Sequence, residues 1–311
     1  MERLRPLWEY LYAFSPSATL FQSHWLNSLA VRGLGEAPFV VAAETGSGAA
    51  IVPAAITGGA LGFLGECLFD YRDILSSGEP DALALAIAQI ARSGLSLRVR
   101  GLREDAHPQL WQSLGRVNWS AAPCVQRKQM GAAEFCAAHS RLASRFRKLQ
   151  RAGAELRRHS GANSSLVRWI YQRKAQQIAD KPPPNLFAVP ARVEFMVAWC
   201  ARAAAGCEIF CLEAGGKIVS ALVTFRDSST RRFYTVYFDA GWEKFSPGTV
   251  LVYEATRLTL SEGLDADFMT GEQPHKTRMA SASTRLYSAE PAAGRMAALA
   301  QELAASTPAA A

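Results

Sequence analysis

Arg232 to Thr249 reads RFYTVYFDAGWEKFSPGT and holds the first residues whose types and spacing could do chemistry. Ser246-Pro247-Gly248-Thr249 has the composition of a helix start, and the first N–H groups of a helix lack partners within it. Those N–H groups and the positive end of the helix dipole make an anion site. Gly248 would let a phosphate approach the backbone, and Thr249 would add a hydroxyl donor. The plainer alternative is a Pro-Gly turn that only starts a helix. A second cluster, Phe268-Met-Thr-Gly-Glu-Gln-Pro-His-Lys-Thr-Arg278, leaves a strand through Gly271. There Glu272 or His275 could act as a base, and Lys276 or Arg278 could hold a phosphate or a developing negative charge. Its alternative is a solvated polar loop.

These groups need a frame. The residues up to Phe238 are mostly β-branched or aromatic, which predicts a strand ending at Asp239. Phe39 to Ile56 and Ile209 to Phe225 each read as two apolar runs around a Gly-rich turn, the pattern of a β-hairpin. An offset of 169 residues lays Glu44 on Glu213, Gly46 on Gly215, Phe69-Asp70 on Phe238-Asp239, Ser77 on Ser246 and Gly94-Leu95 on Gly263-Leu264. Both halves then run hairpin, further strand, loop, helix, Gly stop, strand, which points to an internal duplication. The matching helices are Asp81 to Ser93 and Thr249 to Glu262. Ala132 to Arg158 reads as helical and basic, with Arg141, Arg145 and Lys148 on one face. Leu166 to Ile178 and Arg192 to Ala204 give two more helices, joined through a rigid Lys181-Pro-Pro-Pro-Asn185 loop. From Pro291 the composition turns to Ala, and Ser306 to Ala311 is expected to fray.

The chain has 311 residues, 49 % hydrophobic and 20 % charged, enough for two domains, or one large one, with a sizeable core. A net charge of +7 suits phosphates, an anionic membrane surface or nucleic acid, or serves solubility alone. The six cysteines form no CxxC and have no His pair at ligand spacing, so no metal is expected; they read as buried thiols in a reducing compartment. The start, MERLRPLWEYLYAF, lacks a compact apolar core and a small-residue cleavage site, so no secretory signal is expected. The uncharged stretch from Gly48 to Gly65 is too rich in Gly and Ala for a bilayer span and reads as strands with turns. The expectation is a cytoplasmic protein. The histidines are isolated in sequence, with His24 packing in a helix, His107 in a turn, and His139 and His159 exposed.

Phe21-Gln-Ser-His-Trp25, Asp70-Tyr-Arg-Asp73, Tyr171-Gln-Arg-Lys174, Phe245-Ser-Pro-Gly248 and Gly271-Glu-Gln-Pro-His-Lys276 occur in that order. Together they resemble the GNAT-superfamily acetyltransferases associated with cellulose and exopolysaccharide biosynthesis, relatives of the Fem-type peptidoglycan aminoacyl transferases. The resemblance runs from about residue 15 to about residue 285 and rests on motif order, each motif being weak singly. It implies an α/β protein of mixed sheets in tandem GNAT-like (acyl-CoA N-acyltransferase) domains. It places Ser246, Pro247, Gly248 and Thr249 at the pyrophosphate of an acetyl-CoA or other acyl-CoA donor. Lys276 matches the lysine that the family carries after its last core strand. His275 stands where the family usually has an aromatic, and the Arg-x-x-Gly-x-Gly/Ala loop of simple GNAT enzymes is missing.

On that resemblance, acyl transfer needs a base, a donor held in line and a polarised carbonyl. Asp239 is the first candidate base; Tyr237, two residues back, shares its face, and Glu272 is the reserve. Tyr171 and Lys174 could line the acceptor cleft with His275, or sit on a solvated helix face. The expected domains are 1–130, 131–290 with the donor site, and an Ala-rich tail 291–311. The expected acceptor is an amine or hydroxyl of a cell-envelope polysaccharide or its precursor, with peripheral contact to membrane-bound polysaccharide machinery. One rival is a Fem-like transferase whose Arg141–Arg158 run faces an aminoacyl-tRNA donor. No base-reading motif accompanies that run, so nucleic acid is the less favoured partner. The other rival is a non-catalytic accessory protein whose Ser246–Thr249 loop is occluded.

Overall fold

The computed structural model describes residues 1–305 except 16, 78–79, 108–109, 111, 113, 115–116, 180–184 and 292. Gly78, Pro108, the Lys181–Pro184 loop and the Ser306–Ala311 end lie outside the described residues. The chain forms two compact units, Met1–Ser120 with Arg285–Ala311, and Ala121–Thr284.

In the first unit, β1 (Ala37–Glu44), β2 (Ala49–Thr57) and β3 (Ala60–Phe63) pair antiparallel in that order, and β4 (Leu75–Ser76) also pairs with β2. Alternate side chains of β2 meet different partners. Val52 packs with Ile87 and Ile90 of α3 (Pro80–Arg92). Ile51 packs with Trp8 and Leu11 of α1 (Arg5–Phe14). A strand covered on both faces reads as a continuous apolar run, which is why its sequence mimics a membrane segment. Here α2 (His24–Leu34) carries His24, which is buried edge-on to Trp8.

The expected Ala-rich tail is part of this unit. Residues of β12 (Ala282–Ala289) from Arg285 on include Leu286 and Tyr287, paired with Arg103 and Leu102 of β5 (Val99–Arg103). After it, α10 (Ala293–Ala305) buries Met296, Leu299 and Leu303 in the same core as α3. The sparse large apolar residues sit at helical spacing, so a few suffice to dock it. The boundary expected at residue 290 therefore moves to 284.

In the second unit the strand order is β6-β11-β10-β9-β8-β7. The ranges are β6 Asn118–Val125 (in this unit from Ala121), β7 Glu155–Ser160, β8 Cys207–Ala214, β9 Lys217–Asp227, β10 Thr230–Phe238 and β11 Asp265–Asp267. All neighbours run antiparallel except β10 and β11, which are parallel and joined through α8 (Pro247–Ser261). A parallel pair needs such a crossover. α8 packs on one face with α4 (Ala132–Ala138) and α5 (Ser140–Arg151), where Phe135 stacks on Tyr253 at 5.5 Å. The other face meets α6 (Ser164–Gln177) and α7 (Pro190–Arg202), where Trp199 stacks on Phe225 at 4.3 Å.

The basic helix ends earlier than expected. Gly153 turns the backbone left-handed (φ 87°), and Glu155–Ser160 is an edge strand. Arg158 pairs there with Glu208 and Glu262.

Between Phe233 and Thr235 the β9–β10 register shifts, so Tyr234 is an extra residue. Tyr234 meets Trp199 and Thr235 meets Tyr171, so two successive side chains point to the α6–α7 face. The β10–β11 pairing stops at Arg232, just before this bulge.

Candidate functional site

Asp239 ends β10, the 3₁₀ turn Ala240–Phe245 follows, and α8 starts at Pro247. Asp239 Oδ1 accepts the Gly241 N–H at 2.8 Å, which holds the carboxylate at the mouth of the turn. Ser246 sits in the left-handed region (φ 52°), an unusual conformation for a residue with a Cβ. Arg145 of α5 donates to Ser246 Oγ at 3.0 Å. Among the described residues no side chain caps the start of α8. A guanidinium, a hydroxyl and the first N–H groups of a helix thus meet at one point, a geometry suited to a phosphate.

Gly248 has a packing task. A Cβ there would lie 3.2 Å from Phe238 Cδ1 and 3.3 Å from Val236 Cγ1, so the residue lets α8 close onto β10. Pro247 and Gly248 are buried, while Ser246 and Thr249 are half-buried. Only backbone groups of Gly248 can serve a ligand.

On the other face, Tyr237 and Asp239 line a cleft of about 750 Å³ with Ser165, Leu166, Trp169, Arg173, Gly216, Lys217 and Ile218. Tyr237 and Trp169 meet edge to face at 5.3 Å. Burial, then the charge of Asp239, pushes the Tyr237 phenol up, so it holds its proton at neutral pH.

Tyr171 and Lys174 do not line this cleft. Tyr171 is 0 % exposed, its hydroxyl 3.2 Å from Thr235 Oγ1 and its ring against Phe187. Burial pushes that phenol well above its usual range. Lys174 Nζ donates to the Val236 carbonyl at 2.8 Å, and Gln177 Nε2 to the Phe238 carbonyl at 3.0 Å. Both bonds go to the stretch of β10 that β11 leaves unpaired.

The Gly271–Arg278 cluster forms a loop and α9 (Pro274–Met279). Lys276 Nζ donates to the Thr270 carbonyl at 2.7 Å and so braces the loop. His275 is half-buried, and burial followed by the Lys276 charge lowers its pKa, leaving it neutral at pH 7. Glu272 is exposed. His107 is buried, its Nε2 2.8 Å from the Ile74 carbonyl and its own carbonyl accepting the Leu110 N–H at 3.0 Å. His159 meets Glu213 at 2.7 Å, and these two with Cys211 have ligand atoms within 4.8 Å of one another. Arg157 also reaches Glu213, which opposes a cation there.

Trp169, Arg173 and Lys217 emerge as site residues that the sequence did not single out, while Arg145, read there only as part of a basic face, reaches Ser246. Leu166, Trp169 and Arg173 lie at i, i+3 and i+7, a signal present in the sequence; Tyr171 is about 200° around the helix from Trp169.

Residues 137–277 match the family model described as an Acetyltransferase (GNAT) domain. No curated protein sequence matches the chain. The C-terminal domain of a putative lysylphosphatidylglycerol synthetase from Agrobacterium fabrum has a similar structure: TM-score 0.61 and 12 % identity, over 90 % of this chain and 91 % of that one. FemX gives TM-score 0.61 at 8 % identity, over 91 % and 95 % of the two chains. L-PGS from Bacillus licheniformis gives 0.59 at 12 %, over 95 % and 96 %. These likenesses show the fold: mixed α/β, in a tandem GNAT-like arrangement. Among the described residues no helix is long and apolar enough to cross a membrane.

Proposed function

We propose that this chain is a GNAT-type acyltransferase moving an acetyl or other acyl group from acyl-CoA to an amine or hydroxyl of a cell-envelope polysaccharide or its precursor. One observation carries this reading. The turn Ala240–Phe245 has Asp239 of the cleft at one end and Ser246 with Arg145 at the other. The donor's diphosphate binds Arg145, Ser246, Thr249 and the backbone N–H of Gly248, with Pro247 fixing the helix start. The acceptor lies in the cleft. Its nitrogen or oxygen forms the new bond to the acyl carbon as the C–S bond breaks. Asp239 takes the acceptor's proton and releases it to solvent, and Tyr237 gives its proton to the departing sulfur and regains one from solvent. Lys276 supplies positive charge from the loop after β11, with Glu272 as reserve base and His275 as an acceptor contact. The family match of residues 137–277 supports the chemistry.

A second reading, an aminoacyl-tRNA donor, is favoured by α5. Its Arg141, Arg145, Arg147, Lys148 and Arg151 are all exposed, and Arg145 reaches Ser246. Thermal shift with CoA, acetyl-CoA and tRNA separates the two. Ligand at about 100 times its Kd adds roughly 2.7 kcal/mol to the folded state. A shift with CoA compounds that Arg145→Ala reduces is expected. A shift with tRNA alone, falling steeply with salt, selects the second reading. No shift with either, at millimolar CoA, rejects both donors and leaves the accessory role.

A further inference from the structure

We infer that the acceptor is a ring compound carrying an anionic group beside its reacting amine or hydroxyl, a class that includes amino-sugar phosphates. This rests on the cleft being the acceptor side. Among the described residues lining it, Arg173 and Lys217 are cations and Asp239 is the single carboxylate. Both cations are exposed. The Arg173 guanidinium lies 5.7 Å over the Trp169 ring and spends one N–H on Gln176 Oε1 at 3.0 Å. It is held in place with other donors left for a ligand, as an oxyanion clamp requires. Lys217 follows the bare Gly215-Gly216 turn, where an added Cβ would meet nothing within 4 Å, so the mouth beside it is open.

The same cleft is also lined by aromatic rings. Trp169 and Tyr237 meet edge to face, and such surfaces take the flat apolar face of a ring. The cleft, about 750 Å³, falls within the roughly 300–1,000 Å³ of small-molecule sites. A neutral amine would leave these two cations with Asp239 as the one carboxylate among the described lining residues. An anion held by Arg173 and Lys217 balances that charge and sets its ring on Trp169, with the reacting group toward Asp239.

Isothermal titration of the whole chain, without donor, tests this. The probes are glucosamine 6-phosphate, glucosamine 1-phosphate (the truncated form of a nucleotide- or lipid-linked sugar), glucosamine and inorganic phosphate. One or both phosphorylated amines should bind at least about tenfold more tightly than glucosamine or inorganic phosphate. That advantage should shrink as salt rises from about 50 to about 300 mM. It should vanish in the Arg173→Ala/Lys217→Ala double variant, whose exposed positions leave folding intact. Trp169→Ala should weaken phosphorylated and plain glucosamine alike. The inference is overturned if glucosamine matches its phosphates, if inorganic phosphate matches them, if the double variant keeps the advantage, or if no probe binds. CoA thermal shift on the same sample keeps the two readings apart. A CoA shift without acceptor discrimination sinks this inference alone. Arg173-dependent sugar binding without a CoA shift sinks the donor assignment alone.

Discussion

Valine at position 248 separates the two tasks a glycine at a helix start can have, ligand approach and helix–strand contact. The structure assigns the second, because an added Cβ would lie 3.2 Å from Phe238 Cδ1 and 3.3 Å from Val236 Cγ1. Both distances are tighter than ordinary van der Waals contact, so β10 must yield by a few tenths of an ångström. For alanine this strain offsets a helix-propensity gain of up to about 1 kcal/mol, and Gly248→Ala should stay within about 1 kcal/mol of the parent. Gly248→Val adds two γ-carbons on the same buried side, an overpacking cost of roughly 1–3 kcal/mol. For units of this size that lowers Tm by roughly 2–12 °C. The N–H groups at positions 248 and 249 run along the helix axis rather than into the sheet. CoA affinity measured well below Tm should therefore stay within about threefold. Calorimetry and titration on the same preparation check both halves. An unchanged Tm with CoA binding weakened tenfold or more would refute the packing argument and return the glycine to the ligand.

Asp239→Asn keeps an oxygen for the Gly241 N–H, so the turn should persist, while acyl transfer at saturating donor falls by about 10²–10⁴. A retained rate would shift the base to Glu272 or His275. Tyr171→Phe removes a buried hydroxyl 3.2 Å from Thr235 Oγ1 and should cost roughly 0.5–1.5 kcal/mol in urea unfolding with acceptor affinity unchanged. A selective loss of acceptor binding would put Tyr171 back in the cleft. Burial pushes the Asp73 carboxyl up from 3.8 to about 6, against the opposing charge of His107. Its folded pKa exceeds its unfolded one, so its contribution to stability is full below about pH 4 and is lost as pH rises through about 6. Over that window Asp73→Asn should gain up to roughly 3 kcal/mol on the parent, read from melts between about pH 4 and 7. A pH-independent difference would contradict burial as the cause.

The parts of the fold that were legible depend on local pattern. The 169-residue offset carries Pro80–Arg92, the span of α3, onto 249–261 within α8, and β2 onto 218–226 within β9. Apolar alternation, Gly turns and Pro at a helix start suffice for that, since each is set by neighbours in sequence. The strand ending at Asp239 and the helix start at Pro247 were read for the same reason. What failed was long-range. The Glu155–Ser160 edge strand is short and polar, paired with β8 and joined by ion pairs to Glu208, Glu213 and Glu262 far along the chain, so it carries no apolar signature. The last helix is docked by four residues in an Ala background, and only the core of the first unit reveals its use.

The sequence by itself determined the hairpin, strand and helix order that the two halves share, and which side chains share a helix or strand face, because those follow from fixed periods of 3.6 and 2 residues. Tertiary structure alone decided which face meets which neighbour. It turned Trp169 and Arg173, rather than Tyr171 and Lys174, toward Asp239, and it set Gly248 against Phe238. Periodicity fixes relative angles within an element, but the absolute rotation of that element is fixed only when its apolar side finds the core.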